Sequence, residues 1–335
     1  MIPIRTVRRT MRWLAACVMW TVGPTDLARR HLRRRGAVVV LALHRVLEDW
    51  QLERTNSLSG IVLRRITFSR LAEWLSRRYQ VVDLGRGPSG PTPGQLRVAI
   101  TFDDGWHDTC AVALPVTSAL RLPITVFVCP GLLAKDRPFW PERVVAALRA
   151  NRPGATEAEI ETIVEDLKYR DPAERDATLS REGQPEAASH PAGSADRTLS
   201  WGQILTMHRT GVTFGAHTQT HQILTAVDEG VAASEIRESR VALESALGMS
   251  CALFAYPNGN HSAATRALLA DAGFTEAFTM KRGAWMATSD PLAIPRVNLA
   301  EDDITGPGGR FSRAMFEYMV FWRVWRTSRA SAPAQ

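Results

Sequence analysis

The residues most able to do chemistry together lie in two short segments, Thr101-Phe102-Asp103-Asp104-Gly105 and His217-Thr218-Gln219-Thr220-His221. The first sets two carboxylates side by side where an apolar, β-branched run (Val98-Ala99-Ile100-Thr101-Phe102) stops at a glycine. The second sets two imidazoles four residues apart. One carboxylate with two histidines is a three-ligand set for a divalent metal, and such a set leaves a coordination position open for water. The other carboxylate is then free to act as a base on that water.

The elements that must position these groups follow from the spacing. Four residues make one helical turn, so the two histidines face one point if their segment is helical or tightly turned. Neighbouring strand residues point to opposite faces, so Asp103 and Asp104 share a site only where a strand is ending, and Gly105 permits that turn. Each half alone is weak: Asp-Asp-Gly is usually a solvated turn, and His-x3-His is usually not a ligand pair. Together, inside apolar strand-like runs, they point to a metal site.

Three blocks, ITFDDGWHDT, FGAHTQTHQIL and LFAYPNG, make the chain resemble the polysaccharide deacetylases, the family-four carbohydrate esterases, from about Val38 to Leu299. The resemblance implies a distorted (β/α) barrel with fewer than eight regular strands. It implies Asp103 as catalytic base, and Asp104, His217 and His221 as metal ligands. Tyr256 and Asn258, in the third block, would meet the substrate and its oxyanion, the latter through a backbone N–H near Tyr256. The implied metal is Zn²⁺, with Co²⁺, Ni²⁺ or Fe²⁺ able to use the same donors. The implied reaction is removal of N-acetyl groups from an amino-sugar-containing oligo- or polysaccharide, or from a glycolipid-linked precursor.

The chain departs from the commonest family pattern in two places. Ala255 stands where many members carry an arginine that steadies the base. Arg296, in Ile294-Pro295-Arg296-Val297-Asn298, either replaces it or is an ordinary surface residue. The usual late histidine is missing, since none follows His261. His44, ending the apolar run Ala37–Leu43, fits the acid role in the permuted motif order of biofilm poly-N-acetylglucosamine deacetylases. His107 and then His261 are its competitors. The alternatives to an enzyme are a catalytically impaired carbohydrate-binding relative and a membrane-associated scaffold in polysaccharide synthesis.

Between the blocks, strand-like runs at 37–43, 97–102 and 124–129 alternate with helical patterns at Phe68–Arg78, Ser234–Leu247 and Ala263–Ala272. This alternation predicts a mostly parallel sheet with helices outside. The catalytic domain is expected over 36–305. It carries an insertion at 134–200, helical over Trp140–Arg149 and Thr156–Lys168, then an Ala/Ser/Gly/Pro-rich loop at 181–197 holding His190. The insertion either covers the groove or decorates the surface.

Residues 1–35 hold nine arginines and one acid, a net charge of +8 against +7 for the whole chain, so the other 300 residues carry −1. The basic character belongs to an N-terminal arm or helix, on which Arg5, Arg8, Arg9 and Arg12 share a helical face. Its uncharged stretch, Trp13–Thr25, is too short to span a bilayer and lacks a convincing cleavage site. We expect it to lie on an anionic membrane surface, and its removal over 1–30 to leave the body folded. Residues 306–335 are expected to form an aromatic-rich helix. No nucleic-acid motif accompanies the arginines. Four scattered cysteines without a CxxC pair indicate neither a disulfide framework nor a thiolate zinc site, and lean toward a cytoplasmic or peripheral membrane location rather than secretion.

Overall fold

In the computed structural model, which describes residues 4–85, 90–133, 139–170, 172–181 and 195–330, ten strands are present. They are β1 (Val38–Leu43), β2 (Arg45–Leu47), β3 (Val62–Arg64), β4 (Gln80–Val81), β5 (Arg97–Phe102), β6 (Thr125–Val128), β7 (Thr213–Ala216), β8 (Leu253–Ala255), β9 (Glu276–Arg282) and β10 (Ile294–Asn298). Seven of them, β1 and β5 through β10, close a parallel barrel, because β1 pairs with both β5 and β10. β4 shares an edge of β5 with β6: it takes Arg97 and Val98, and β6 takes Thr101 and Phe102. β2 and β3 form a separate parallel pair.

The strand period of two sorts the barrel residues. Val38, Val40, Ala99, Phe127, Leu253, Ala255, Phe278 and Ile294 pack together inside the barrel, closed off by Leu84 and Trp285. Their neighbours Val39, Leu41, Leu43, Val98, Ile100, Phe102, Val126 and Val128 face outward, into the layer shared with the surrounding helices. Those helices include Arg65–Arg78, Glu229–Leu247 and Ala263–Asp271, each overlapping its expected range. Continuing the inward period past the strand ends reaches His44, Asp103, His217 and, within β10, Arg296 and Asn298. The active-end side chains are therefore extensions of the barrel's interior column.

The insertion is built from helices Trp140–Asn151 and Glu157–Lys168, plus a third, Pro172–Arg181, which the sequence reading did not anticipate. It has its own small core of Val144, Val145, Leu148, Ile160, Val164, Leu167 and Leu179. Thr156 caps the second helix by accepting from the Glu159 N–H, with Glu159 reaching back to the Thr156 N–H. Residues 182–194, including His190 of the expected loop, lie outside the described residues.

The termini correct one expectation. Residues 4–34 are not a detachable arm. They form helices Ile4–Val22 and Pro24–Arg34. Ala28 and Leu32 are fully buried in the same core as Phe316, Phe321 and Val324 of the C-terminal helical segment. Removing residues 1–30 would take Ala28 and its neighbours out of that core, which bears against the expectation that the body stays folded without them. Nor do the arginines act as one face. Arg9 bonds Thr305 and the Gly306 carbonyl and pairs with Asp302, and Arg12 reaches the Asp302 carbonyl, while Arg8 is exposed. No helix among the described residues is long and apolar enough to cross a membrane.

Candidate active site

The site lies at the C-terminal ends of the strands, where barrel sites generally form. Asp103 continues β5 inward, and its N–H donates to the Leu43 carbonyl of β1 (2.9 Å). Asp104 has the opposite parity and would point outward. Its positive φ of 71° swings it back into the site, and Gly105 follows at 73°. A side chain at Gly105 would sit 2.9 Å from Val128 Cγ1, so the turn requires glycine for space as well as conformation.

His217 continues β7 and is anchored by its N–H to the Val128 carbonyl (2.9 Å). Its Nδ1 lies 2.7 Å from the Ala255 carbonyl, which can only accept, so Nδ1 carries the proton and Nε2 offers a lone pair. The segment to His221 is a tight turn rather than a helix, with Thr218 and His221 at φ of 62° and 63°. Left-handed backbone at a β-branched residue costs roughly 1–3 kcal/mol and persists where the surroundings impose it. Glu235 braces the turn between them, accepting from both the N–H and the hydroxyl of Thr220 (2.7 and 2.6 Å).

Asp104, His217 and His221 converge. Both Nε2 atoms lie 3.4 and 3.3 Å from Asp104 Oδ1, and one donor atom of each residue lies within 4.8 Å of the others. Burial would raise the Asp104 pKa, but the two histidines hold it well below the ordinary carboxylate value. Burial would lower the His217 pKa, but the aspartates raise it. Two imidazoles and a carboxylate this close suit a small divalent cation. Asp104 Oδ2 is fixed from outside the triad by the Trp106 indole N–H (2.9 Å). Arg45 lies 4.1 Å over the Trp106 ring and is itself held by Asp108 and Asp196 (2.8 and 3.0 Å).

Asp103 is held separately. Arg296 is completely buried and pairs with it through two nitrogens (2.7 and 2.6 Å). Its Nε donates to the Thr279 carbonyl at 3.1 Å. Burial would raise the Asp103 pKa; the Arg296 guanidinium more than offsets this and keeps the carboxyl below its usual value. Arg296 is thus no surface arginine. It enters from β10, whereas the family position at Ala255 lies on β8. His44 Nε2 lies 4.0 Å from Asp103 Oδ2, and its buried Nδ1 has no partner. Burial lowers the His44 pKa against the pull of Asp104 and Asp103.

His44, Asp103, Asp104, Trp106, His217 and His221 line one cavity of about 330 Å³. Asn258 lines it as well, accepting from Lys168 Nζ at 3.2 Å. Tyr256 does not. Its strand parity turns it into the outer core, its N–H donates to the Phe278 carbonyl (3.0 Å) and its hydroxyl to the Leu292 carbonyl (2.8 Å). The Tyr256 N–H itself is therefore not free to meet an oxyanion. His107 and His261 are also absent from the lining. The far wall comes from the insertion, notably Phe139, Trp140, Glu142, Val145, Val164 and Lys168, so the insertion covers the groove.

The sequence reading missed Trp106 and Glu142. Trp106 directly follows the Asp-Asp-Gly turn and was legible in principle. Glu142 carries no motif. It is buried beside the cavity, Oε1 accepts from Ser57 at 2.9 Å, and Oε2 has no partner. Burial, with Asp196 adding to it and Arg45 opposing, pushes its pKa up to about 8.

Solved structures that share this fold include deacetylases. The structure of IcaB from Ammonifex degensii aligns with a TM-score of 0.55 at 20% identity, covering 80% of this chain and 94% of that one. The Streptococcus pyogenes deacetylase PplD, in complex with acetate, aligns at 0.54 and 16%, covering 82% and 96%. A de-N-acetylase from Aggregatibacter actinomycetemcomitans aligns at 0.55 and 14%, covering 81% and 97%. No curated protein sequence matches the chain. The family model for polysaccharide deacetylase matches residues 90–277, a stretch that holds Asp103, Asp104, His217, His221 and Asn258 and leaves out His44 and Arg296. With more than half of its length inside that match, this chain belongs to the polysaccharide deacetylase family.

Proposed function

We propose that this protein is a metal-dependent N-deacetylase acting on an amino sugar within an oligo- or polysaccharide. Members of the family remove acetyl groups from glycans with the help of a metal. The observation that carries the finer reading is the meeting of two differently held aspartates, one in a histidine triad and one on a buried arginine, at the floor of a single cavity.

Asp104, His217 and His221 would hold the cation, Zn²⁺ by the chemistry of the donors. When bound, it supplies Lewis-acid polarisation of the acetyl carbonyl and a water acidified toward pKa about 7. Asp103, kept ionised by Arg296, takes a proton from the attacking water. Arg296 also fixes the carboxylate plane, so the base needs no reorientation. His44 gives a proton to the departing amine. It rests neutral because burial lowers its pKa, so it must first gain a proton: the one Asp103 takes from water would pass to His44 Nε2, 4.0 Å away, as negative charge grows on the carbonyl oxygen, and from there to the amine. The C–N amide bond breaks, water supplies the oxygen of acetate, and the sugar keeps a free amine. Asn258 and the insertion wall hold the sugar. The Asp103–Arg296 pair favours an active enzyme over a carbohydrate-binding relative, because it restores the base support that Ala255 lacks.

Acetate release from acetylated chito-oligosaccharides tests this directly. The reading requires activity that a chelator removes and that added Zn²⁺ or Co²⁺ restores. Release unchanged by chelation, with the protein shown to be metal-free, would reject it.

A further inference from the structure

The N-terminal helix, Ile4–Val22, carries an apolar stripe on its outer side as well as apolar contacts on its inner side. An amphipathic helix on a soluble body normally turns apolar residues inward and charges outward. Here Arg9 and Arg12 are spent on residues 302–306 of the body, and the exposed side is apolar. Val7 is 44% exposed, Met11 65%, Leu14 50%, Val18 59% and Val22 75%. Their steps of four, three, four and four keep them in one stripe. Of the nine exposed positions between residues 7 and 22, only Arg8 is charged. Ala16, with Trp13 and Cys17 beside it, packs on Ala314 and Met315, so the helix is fixed to the body by its other side and the stripe is left outward.

The helix that follows the stripe in the chain is basic. The chain turns at Gly23 (φ 104°) into Pro24–Arg34, where Leu27 is exposed and is followed by exposed Arg30, Arg33, Arg34 and Arg35. The single acid of this region, Asp26, is already paired with Arg29 and Arg30. An apolar strip about 22 Å long, by helical rise, followed in the chain by a cation-rich helix, complements a surface that is apolar beneath and anionic on top.

We propose that this face docks the protein on an anionic lipid bilayer, the Ile4–Val22 helix lying in the plane of the headgroups with Met11, Leu14 and Val18 buried among acyl chains. A second copy of the chain fits less well, because the basic helix next to the stripe in the chain would meet its like. The inference is independent of the chemistry in the cavity. Because the helix is fastened to the segment following β10, docking holds the end of the barrel that carries the cavity near the membrane.

The test uses the full-length protein in flotation with vesicles of phosphatidylcholine, with and without phosphatidylglycerol. Wild type should float with the anionic vesicles only, and more weakly as salt rises. Met11→Glu/Leu14→Glu/Val18→Glu, all at exposed sites, should bind at least about tenfold less while keeping the wild-type melting curve. Arg34→Glu/Arg35→Glu should bind less to anionic vesicles with its apolar stripe intact. Equal flotation of wild type and the triple variant, flotation indifferent to anionic lipid, or no flotation of wild type would each overturn the proposal. So would a concentration-dependent dimer that the triple variant abolishes, which would assign the face to a second copy.

Discussion

The cavity has two walls of different construction. On the barrel wall, Asp103, Asp104 and His217 are each fixed by partners drawn from other strands or loops: Arg296 from β10, Trp106 from the following turn, the Ala255 carbonyl from β8. On the insertion wall, Phe139, Trp140, Val145 and Val164 present apolar surface, and the buried Glu142 keeps one oxygen without a partner. A wall whose charges are already oriented stabilises a transition state without reorganising. A wall of rings, methyls and one spare carboxyl oxygen has its contacts still to make, and suits recognition of a sugar. Under the proposed function the difference would put chemistry and selection on separate parts of the chain, so they should separate on mutation.

The largest effects should come from the triad. Asp104→Ala, His217→Ala and His221→Ala should each lose the metal and all measurable acetate release, since two protein ligands do not hold an ion in an open site. Retention of metal by all three variants would end this assignment. Next, His44→Ala should keep the metal and lower kcat by about 10²–10⁴-fold, the usual contribution of a positioned acid. If His44→Ala is near wild type while His107→Ala is inactive, the proton donor has been misplaced.

Arg296→Met should lower both activity and stability, because it leaves Asp103 buried without its cation. Removal of one partner of a buried pair typically costs about 3–5 kcal/mol. A melting curve equal to wild type would show that the pair does not hold the barrel end together.

The smallest effect sharpens the contrast between the walls. The Glu142 carboxyl sits at about 8 in the fold against an ordinary 4.5. Below the ordinary value both folded and unfolded chains keep the proton. Between the two values only the fold keeps it, so stability falls as pH rises through that window. Glu142→Gln, which can still accept from Ser57, should therefore melt above wild type at pH about 8–9, with the difference closing in acid. It should change KM more than kcat. A variant that instead loses kcat alone would move Glu142 to the chemical wall.

Much of this is legible in the sequence alone, and the reasons are local. The Asp-Asp-Gly and His-x3-His segments are short in sequence, so one turn each brings their groups together. The runs 37–43, 97–102 and 124–129 became β1, β5 and β6 because nearly every residue in them is buried. Strand parity carried more than was read from it. Counting by twos from Val38 reaches His44 and from Ile294 reaches Arg296, while Phe254 shares its side with Tyr256 and takes it away from the cavity. Asp104 defeats the same count through its positive φ. What could not be read was tertiary: that Glu142 of the insertion and Arg45 of β2 would meet near one pocket, and that Arg9 and Arg12 would turn inward. Helical spacing puts arginines on a face without saying which way that face points.

The account rests most heavily on the claim that two adjacent aspartates do different work. Metal content measured on purified Asp103→Asn and Asp104→Asn tests it in one comparison. We expect Asp103→Asn to bind one equivalent of metal like wild type and to be nearly inactive, and Asp104→Asn to come out metal-free. Equal metal content in the two variants, whether both full or both empty, would contradict it.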